Sequence, residues 1–447
     1  MEIARRTFLA SLAGAAAAQA RRPPNVVFIV TDDHGYGDTS AYPHPPEVKT
    51  PQIDRIAREG VRFEAGYAGA YVCAPTRAQL LTGRYQQRFG FYTASDSREG
   101  LPLGETTLAD LLRPAGYRTM AVGKWHLGIE PAYHPLKRGF DEFYGFLGHG
   151  AHDYFDLKPS SEPHQSIWRD GKPIADTGYL TDNLGREAAA FVARNEARPF
   201  FLYLAFNAVH FPLQAPPATV RKYDTGRRER DTYLAMLEHE DAAVGRVLDE
   251  LKRRGLERDT LVAFVSDNGG ARNNASNNGS LRDYKHSVYE GGIRVPYMIR
   301  WLGHAKAGTV CKDPVMTFDL FATAARAAGV SPPAGRVHDG KDLSAALEGR
   351  PRSPVHDRLF WDGDEEKRAV RMGRWKLVDN AGKLELFDLE SDPSEKADLA
   401  ARQPDRVREL KAEFDRWRAE MKPRIGKGGP EDEGGARKKG GRKKKKA

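Results

Sequence analysis

The chain has 447 residues, of which 40% are hydrophobic and 29% are charged, and this composition is typical of a globular protein with a substantial core. The sequence contains no apolar run long enough for a stable membrane span in a mature chain. The net charge of +9 is concentrated in residues 422–447, which hold eleven Lys or Arg and three acidic residues. The rest of the chain is close to neutral, so the charge does not indicate a nucleic-acid-binding protein.

Residues 1–20 resemble an export signal peptide. Arg5 and Arg6 precede an apolar stretch from Leu9 to Ala18, and residues 18–20 (Ala-Gln-Ala) have the small side chains of a cleavage site. Paired arginines are similar to a twin-arginine signal, although the general secretory route remains an alternative. We therefore predict an exported protein, periplasmic or extracellular.

The pattern of the next 230 residues predicts an α/β fold in which a large, mostly parallel or mixed sheet is flanked by helices. The predicted strands are 25–31, 118–122, 199–206 and 260–266, and the predicted helices are 50–60, 75–83, 107–113 and 233–254. A smaller α+β subdomain is predicted from antiparallel strands over 369–378 and 383–388 and a helix over 404–421. We place the large domain at 24–340, the C-terminal subdomain at 341–422 and a disordered basic tail at 423–447.

Polar side chains follow each of the four predicted strands of the large sheet. They are Asp32 and Asp33, then Lys124 and His126, then His210, and finally Asp267 and Asn268. Open α/β sheets bind their ligands beyond the carboxyl ends of the strands. We therefore expect these side chains to converge on one site.

The four oxygen-bearing residues at the strand ends predict a cation site. Asp32, Asp33, Asp267 and Asn268 suit Ca2+ better than Mg2+, because Ca2+ accepts irregular sets of oxygen ligands. Three carboxylates gathered without a cation would repel one another. The alternative is that each pair belongs to an ordinary turn, since Asp-Asn-Gly-Gly at 267–270 contains common turn formers.

Cys73 is a candidate nucleophile. It precedes Pro75, which can open the predicted helix over 75–83, so the thiol would lie at the positive end of a helix. Arg77 adds a fixed positive charge one turn into the helix. Two structural alternatives are a packed, unreactive thiol and a disulfide with Cys311, the other cysteine of the chain.

Basic residues accompany this cysteine in the sequence. The set is Arg77, Lys124, His126, His210 and Lys285. Fixed positive groups stabilise the oxygens of a transferred anionic group, and histidines suit proton transfer because they titrate near neutrality. The set indicates sulfuryl or phosphoryl transfer.

The motifs that carry these residues occur as ordered blocks. They are Thr31-Asp32-Asp33, Cys73-Ala74-Pro75-Thr76-Arg77, Gly123-Lys124-Trp125-His126-Leu127-Gly128, Ser266-Asp267-Asn268-Gly269, and Lys285 ahead of Glu290-Gly291-Gly292. Together they resemble the type I sulfatases of the alkaline-phosphatase-like superfamily. Thr76 stands where that family more often has serine.

The resemblance implies a modified nucleophile and a cation. Cys73 would be oxidised to formylglycine (3-oxoalanine) by a formylglycine-generating enzyme, and the aldehyde hydrate would attack a sulfate ester. Ca2+ would be held by Asp32, Asp33, Asp267 and Asn268 together with the modified Cys73.

The resemblance also implies roles for the basic residues. Arg77 and Lys124 would anchor the hydrate, while His210 and Lys285 would bind sulfate, with one of them protonating the departing alcohol. His126 would take the proton whose removal expels sulfate.

The segment around His152, Asp153 and Tyr154 resembles the substrate-side loop of sulfatases that act on sulfated sugars, especially those similar to N-acetylgalactosamine sulfatases. An ordinary surface loop is the alternative. We predict a sulfated carbohydrate as substrate, and the basic tail is either a solvated terminus or a contact for polyanions.

Two rival functions remain open on the sequence. One is a phosphonate monoester or phosphodiester hydrolase of the same superfamily, since phosphoryl and sulfuryl groups share their geometry. The other is an inactive protein that binds sulfated glycans, with Cys73 unmodified.

Overall fold

The computed structural model describes residues 22–148, 152–350, 354–363 and 367–426. The predicted signal peptide (1–20) and residues 427–447 of the predicted tail lie outside the described residues. Residues 423–426, which the sequence assigns to the tail, pack against the large domain instead. Ile425 N donates to Gly90 O, and Arg424 donates to Asp96 Oδ1.

The strands are taken in chain order. They are β1 (Asn25–Thr31), β2 (Val61–Phe63), β3 (Gly66–Tyr67), β4 (Arg118–Lys124), β5 (Glu142–Phe146), β6 (Ile167–Arg169), β7 (Lys172–Ile174), β8 (Phe200–Ala205), β9 (Thr260–Ser266), β10 (Tyr297–Arg300), β11 (Thr309–Cys311), β12 (Val315–Met316), β13 (Arg358–Asp362), β14 (Lys367–Met372), β15 (Trp375–Asn380) and β16 (Lys383–Asp388).

The α-helices are α1 (Pro51–Arg58), α2 (Cys73–Thr82), α3 (Leu108–Leu112), α4 (Leu180–Arg194), α5 (Pro217–Val220), α6 (Arg228–Arg253), α7 (Glu290–Ile293), α8 (Asp319–Ala327), α9 (Ser344–Leu347) and α10 (Pro404–Arg418). Over the residues described, every helix is too short or too polar to cross a membrane.

The large sheet has the strand order β11-β2-β10-β9-β1-β8-β4-β5-β6-β7. Its centre, β9-β1-β8-β4-β5, is parallel, while β10 pairs antiparallel with β9 and β6 pairs antiparallel with β5. The predicted mixed α/β sheet is confirmed. All the parallel strands therefore end at the same edge, where the candidate residues follow them.

Alternate residues of β1 enter two different hydrophobic cores. Val27 and Ile29 pack in the core beneath α1, α4 and α6, whereas Val26, Phe28 and Val30 pack in the core beneath α2, α3 and α8. Period-two alternation explains this, because a strand covered by helices on both faces must be apolar on both. The rigid double-sided core fixes the position of the strand ends.

Several element boundaries differ from the sequence predictions. Helix α2 begins at Cys73 rather than Pro75, and α6 begins at Arg228 rather than Tyr233. The run 369–378 is divided between β14 and β15, because Gly373, with φ of 55°, turns the chain into a hairpin.

The N-terminus of α1 is not capped by its own N-cap side chain. Thr50 stands at the N-cap, but its hydroxyl donates to Asp54 Oδ1 and caps no backbone N–H group. The N–H groups of Gln52 and Ile53 bond instead to Asp241 of α6. A distant helix thus supplies the cap, which propensity within one segment cannot predict.

The C-terminal subdomain consists of the antiparallel sheet β13-β14-β15-β16 and helix α10. A buried group of charges joins it to the large domain. Lys376 Nζ lies 2.8 Å from Glu290 Oε1 and 2.8 Å from Glu395 Oε1. We call Glu290, Lys376 and Glu395 the inter-subdomain cluster.

Candidate active site

Two aspartates lie at the end of the central strand β1. Asp32 Oδ2 accepts a hydrogen bond from Lys124 Nζ at 2.5 Å, and Asp33 adopts a left-handed backbone with φ of 58°. Asn274 Nδ2 and Ser276 Oγ both donate to the Asp33 carbonyl oxygen, which holds this uncommon conformation. The strained backbone turns both carboxylates away from the strand direction and into the site.

Asp267 and Asn268 follow the neighbouring strand β9. Asp267 Oδ2 accepts from Arg77 Nε at 2.9 Å, and Asn268 Nδ2 donates to Asp33 Oδ1 at 2.7 Å. The next residue, Gly269, lies so close to the turn that follows Lys285 that an added Cβ would be 1.9 Å from Gly291 O. Glycine at 269 is therefore required for these two motifs to meet.

Cys73 is the first residue of α2 and is completely buried. Its Sγ lies 3.7 Å from Lys285 Nζ, and ligand atoms of Asp32, Cys73 and Asp267 all lie within 4.8 Å of one another. Thr76, at the variable position of the cysteine motif, exchanges hydrogen bonds with the backbone N–H and C=O of Ala70. The motif therefore positions the thiol inside the acidic group rather than on the protein surface.

Arg77 and Lys124 link helix α2 to the sheet. Arg77 is fully buried, and its NH1 donates to the Lys124 carbonyl oxygen at 3.2 Å. His126 lies two residues beyond Lys124, buried, with a left-handed backbone of φ 57°. All three residues thus lie at the same sheet edge as the aspartates.

His210 and Lys285 form the remaining cationic wall. Lys285 Nζ lies 3.0 Å from Asp33 Oδ1 and 3.4 Å from His210 Nε2. The His210 Nδ1–H group donates to the Phe211 carbonyl oxygen at 2.6 Å, which leaves Nε2 facing the lysine. The Tyr154 hydroxyl lies 2.9 Å from His210 O and 2.7 Å from Asn207 O, so it supports the loop that carries the histidine.

Two buried oxygens of the site indicate where a cation fits. Among the described groups, none donates a hydrogen bond to Asp32 Oδ1 or Asn268 Oδ1. Buried acceptors are normally satisfied, and carboxylate and amide oxygens are the ligands that hard divalent cations prefer. The set of Asp32, Asp33, Asp267 and Asn268 therefore fits a divalent metal ion.

Buried charges shift the pKa values of the site in opposite directions. Burial opposes ionisation of Asp32, yet Lys124 and the other cations hold its pKa well below the usual range. Burial and the nearby charge of Asp32 raise the pKa of Asp267 to about 7. Burial also raises the pKa of the Cys73 thiol far above its ordinary value, with Lys124 opposing the shift only in part.

Comparison with known proteins decides the family. Residues 24–330 match the Sulfatase family, and residues 282–420 match the N-sulphoglucosamine sulphohydrolase C-terminal family. The chain belongs to the sulfatase family. It is therefore a sulfuric ester hydrolase.

The sulfatase shares sequence with several named relatives. It is 36% identical to N-acetylgalactosamine-6-sulfatase of Canis lupus familiaris over 395 residues, covering 82% of this chain and 73% of the relative. It is 37% identical to arylsulfatase A of Bos taurus over 400 residues, covering 82% and 76%. The crystal structure of Ps i-CgsB in complex with k-i-k-neocarrahexaose matches with a TM-score of 0.84 and 34% identity, covering 90% and 94% of the two chains.

The sulfatase brings most of the sequence-predicted site residues together. The predicted substrate-binding residues, in contrast, form hydrogen bonds with other residues of the protein. His152 is buried, with both ring nitrogens facing carbonyl oxygens of Asp153 and Gln165. Tyr154 is also fully buried, and Asp153 caps the turn at Phe155 and accepts from Gln214. Direct substrate contact by these three residues stays a prediction.

The two cysteines of the sulfatase, Cys73 and Cys311, are both free and buried, so the disulfide alternative is wrong. Sequence reasoning missed Asn274 and Ser276, which hold the Asp33 backbone. The polar run at 273–278, directly after the second acidic motif, is the signal that could have identified them.

Proposed function

We propose that this sulfatase hydrolyses sulfate esters of carbohydrates, with Cys73 converted to formylglycine and Ca2+ bound by Asp32, Asp33, Asp267 and Asn268. The observation that carries the proposal is the position of Cys73 within 4.8 Å of ligand atoms of Asp32 and Asp267. A nucleophile in this position would lie beside a cation held by these carboxylates, and such a cation would polarise the sulfate group.

The environment of the thiol supports its conversion. A thiol needs a lowered pKa to act as a nucleophile, and burial instead raises the pKa of Cys73. Burial therefore favours the neutral form of an unmodified Cys73 thiol. The aldehyde hydrate would supply what the thiol lacks, a hydroxyl oxygen that can act as the nucleophile.

The choice of Ca2+ rests on the donor set. The site offers three carboxylates and one amide oxygen from two strand ends. Most of these proposed ligands are therefore oxygen atoms, whereas zinc favours imidazole nitrogen and thiolate sulfur. Ca2+ tolerates the irregular geometry that two neighbouring loops can provide, whereas Mg2+ demands near-octahedral ligands.

The residues around Cys73 would divide the remaining chemistry between them. Arg77 and Lys124 would orient the nucleophilic hydroxyl, and Lys285 and His210 would bind the sulfuryl oxygens. One of these two would donate a proton to the ester oxygen as the alcohol departs. His126 would then accept a proton from the second hydroxyl, so that sulfate leaves and the aldehyde returns.

The relatives favour a sugar substrate. One acts on N-acetylgalactosamine 6-sulfate by its name, and the similar solved structure holds a carrahexaose. Export, which we propose from residues 1–20, would place the enzyme where sulfated polysaccharides occur.

The test begins with the protein co-expressed with a formylglycine-generating enzyme. Peptide mass spectrometry across Tyr71–Arg77 should show the thiol replaced by an aldehyde, and the purified protein should release sulfate from an aryl sulfate and from sulfated oligosaccharides. Faster turnover of aryl phosphonate esters would identify a phosphonate monoester hydrolase instead. An unchanged thiol with glycan binding and no release of sulfate would identify a binding protein.

A further inference from the structure

A cavity of about 480 Å3 lies at the end of the sheet opposite the active site. Its wall includes Arg22, Pro24, Arg258, Trp301, His304 and Arg326. Arg22 precedes β1, Arg258 precedes β9 and Trp301 follows the antiparallel strand β10, so the cavity adjoins the amino-terminal ends of the parallel strands. Because β1 has seven residues at about 3.3 Å each, this distal cavity is roughly 20 Å from Asp32.

The distal cavity has an excess of positive charge that the protein does not neutralise. In the part of the chain that the structure describes, the exposed residues Arg258 and Arg326 form no ion pair and no hydrogen bond. Arg55, by contrast, is paired with Glu59 and Asp249. Unpaired guanidinium groups that line one cavity are suited to an anionic ligand.

Arg22 contributes to the same excess. Its NH1 donates to Glu196 O, but its buried Nε has no partner among the described groups. Burial lowers the pKa of the Arg22 guanidinium from its ordinary value, and the charge of Asp259 offsets this only in part. The described cavity wall contains three arginines and one acidic residue, Asp259.

The rest of the cavity wall is apolar and aromatic. The Trp301 ring stacks on the exposed His304 ring with centroids 4.1 Å apart and an interplanar angle of 17°. Trp301 is only 8% exposed, and its Nε1–H group has no acceptor among the described residues. Pro24 and Ala327 add further apolar surface. A fitting ligand therefore has apolar C–H faces, hydrogen-bond acceptors and negative charges.

We propose that the distal cavity binds an anionic saccharide, with sulfate or carboxylate groups at Arg258 and Arg326 and the sugar against the wall of Pro24, Trp301 and His304. A guanidinium group binds a sulfate or carboxylate through two parallel hydrogen bonds, and rings of sugars pack on apolar walls. This binding does not require hydrolysis. On a polymeric substrate, it would raise the effective concentration of the chain around the catalytic site.

The test compares two double variants of the full-length chain. Arg258→Ser with Arg326→Ser removes the two unpaired cations of the cavity, while Arg227→Ser with Arg402→Ser removes the same charge from two exposed positions elsewhere. Both are made in a Cys73→Ala background, so that no turnover occurs and failure of the proposed sulfatase reaction does not affect the result. Both also keep the basic tail, so its contribution to binding is the same.

The measurement is calorimetric titration with dextran sulfate oligosaccharides of uniform length. We expect the cavity variant to bind about tenfold more weakly than its background, and the control variant to stay within about twofold. The unsulfated dextran of the same length should not bind the distal cavity. Equal affinities of the two double variants would overturn the proposal.

Two further measurements distinguish an anionic saccharide from other negatively charged ligands. If inorganic sulfate alone competes as well as the oligosaccharide does at equal concentration, the cavity holds a free anion and the saccharide assignment is wrong. If single-stranded DNA of equal charge shows the same difference between the variants, the cavity recognises polyanions in general, which also overturns it. In the Cys73 protein, the cavity variant should keep its turnover of a small aryl sulfate while its KM for a sulfated polysaccharide rises.

Discussion

The active-site cluster and the inter-subdomain cluster are both buried groups of acids and cations. In the active-site cluster, Asp32, Asp33 and Asp267 face Arg77, Lys124 and Lys285. In the inter-subdomain cluster, Glu290 and Glu395 share Lys376. Each contains one acid whose pKa is lowered and one whose pKa is raised to about 7. Perturbed pKa values therefore do not distinguish the two.

The two clusters differ in how completely their polar atoms are used. Both oxygens of Glu290 have partners, because Oε1 pairs with Lys376 and Oε2 accepts from the Tyr67 hydroxyl at 2.8 Å. Glu395 Oε1 accepts no hydrogen bond from the described residues, but it forms an ion pair with Lys376 Nζ at 2.8 Å. Asp32 Oδ1 and Asn268 Oδ1 have no donor among the described residues. Satisfied charges fasten one subdomain to another, whereas unsatisfied acceptors beside a nucleophile mark a site that is completed by ligands.

The largest expected effect is the loss of activity on removing Cys73, the proposed source of the nucleophile. Cys73→Ala should lower kcat for aryl sulfate more than about 1,000-fold, because the attacking group is absent. The unfolding midpoint should change little. Cys311→Ala, which removes the other buried free cysteine, is the control and should retain activity. Comparable loss in both variants would show that the effect is structural.

Removing the cation of the inter-subdomain cluster should lower the stability of the protein and leave its kcat unchanged. Lys376→Met leaves the buried Glu395 without its cation and removes the nearer of the two cations of Glu290, since Arg294 NH1 is 3.4 Å away, so the free energy of unfolding should fall by about 3 kcal/mol in urea titrations. The folded fraction should keep its kcat. Lys383→Met removes a lysine that is 69% exposed in its pair with Glu385, and it should cost less than about 0.5 kcal/mol. Equal effects of the two variants would refute a fastening role for the cluster.

The pH dependence of stability provides a sharper test of the same cluster. Burial raises the pKa of Glu395 from 4.5 to about 7, with Lys376 opposing the shift. The folded protein thus holds this proton when the unfolded chain has lost it, and the contribution to stability falls as pH rises from about 4.5 to about 7. Glu395→Gln should remove up to about 3 kcal/mol of this fall, measured by unfolding across that range. An unchanged pH slope would contradict the assignment.

Metal dependence should be confined to the active-site cluster. Asn268→Ala removes an unsatisfied amide oxygen, so the Ca2+ concentration for half-maximal activity should rise about 10-fold to 100-fold. Chelation should abolish activity in the parent protein. The matched control is Asn195→Ala, whose amide donates to Phe191 O at the end of α4. A similar change in Ca2+ requirement in the control would exclude a ligand role for Asn268.

The smallest effect is expected from removing a hydroxyl group that supports the loop carrying His210. Tyr154→Phe removes the hydroxyl that contacts His210 O and Asn207 O, so kcat should fall about threefold to tenfold as the histidine loses its fixed position. Tyr179→Phe removes a hydroxyl that donates to Gln214 O and should change kcat less than twofold. Loss of substrate affinity with unchanged kcat would instead favour direct substrate contact by Tyr154.

Most of the candidate site was predictable because its residues lie at, or a few positions beyond, the ends of recognisable strands. Asp32, Lys124, His210 and Asp267 all follow short apolar runs, and the parallel order of those runs places their ends together. The substrate loop was less predictable. The sequence shows that His152 and Tyr154 are polar and aromatic, but not that both are buried and bonded to backbone carbonyls.

The sequence by itself determined the strand-end motifs, the helix that carries Cys73 and the type of chemistry, because these depend on residues close together in the chain. Only the tertiary structure decided which acceptors lack donors, how Lys376 joins Glu290 to Glu395, and that three arginines line one distal cavity. Those features arise from packing between segments that are separated by about 20 to more than 200 residues, and no local pattern encodes such contacts.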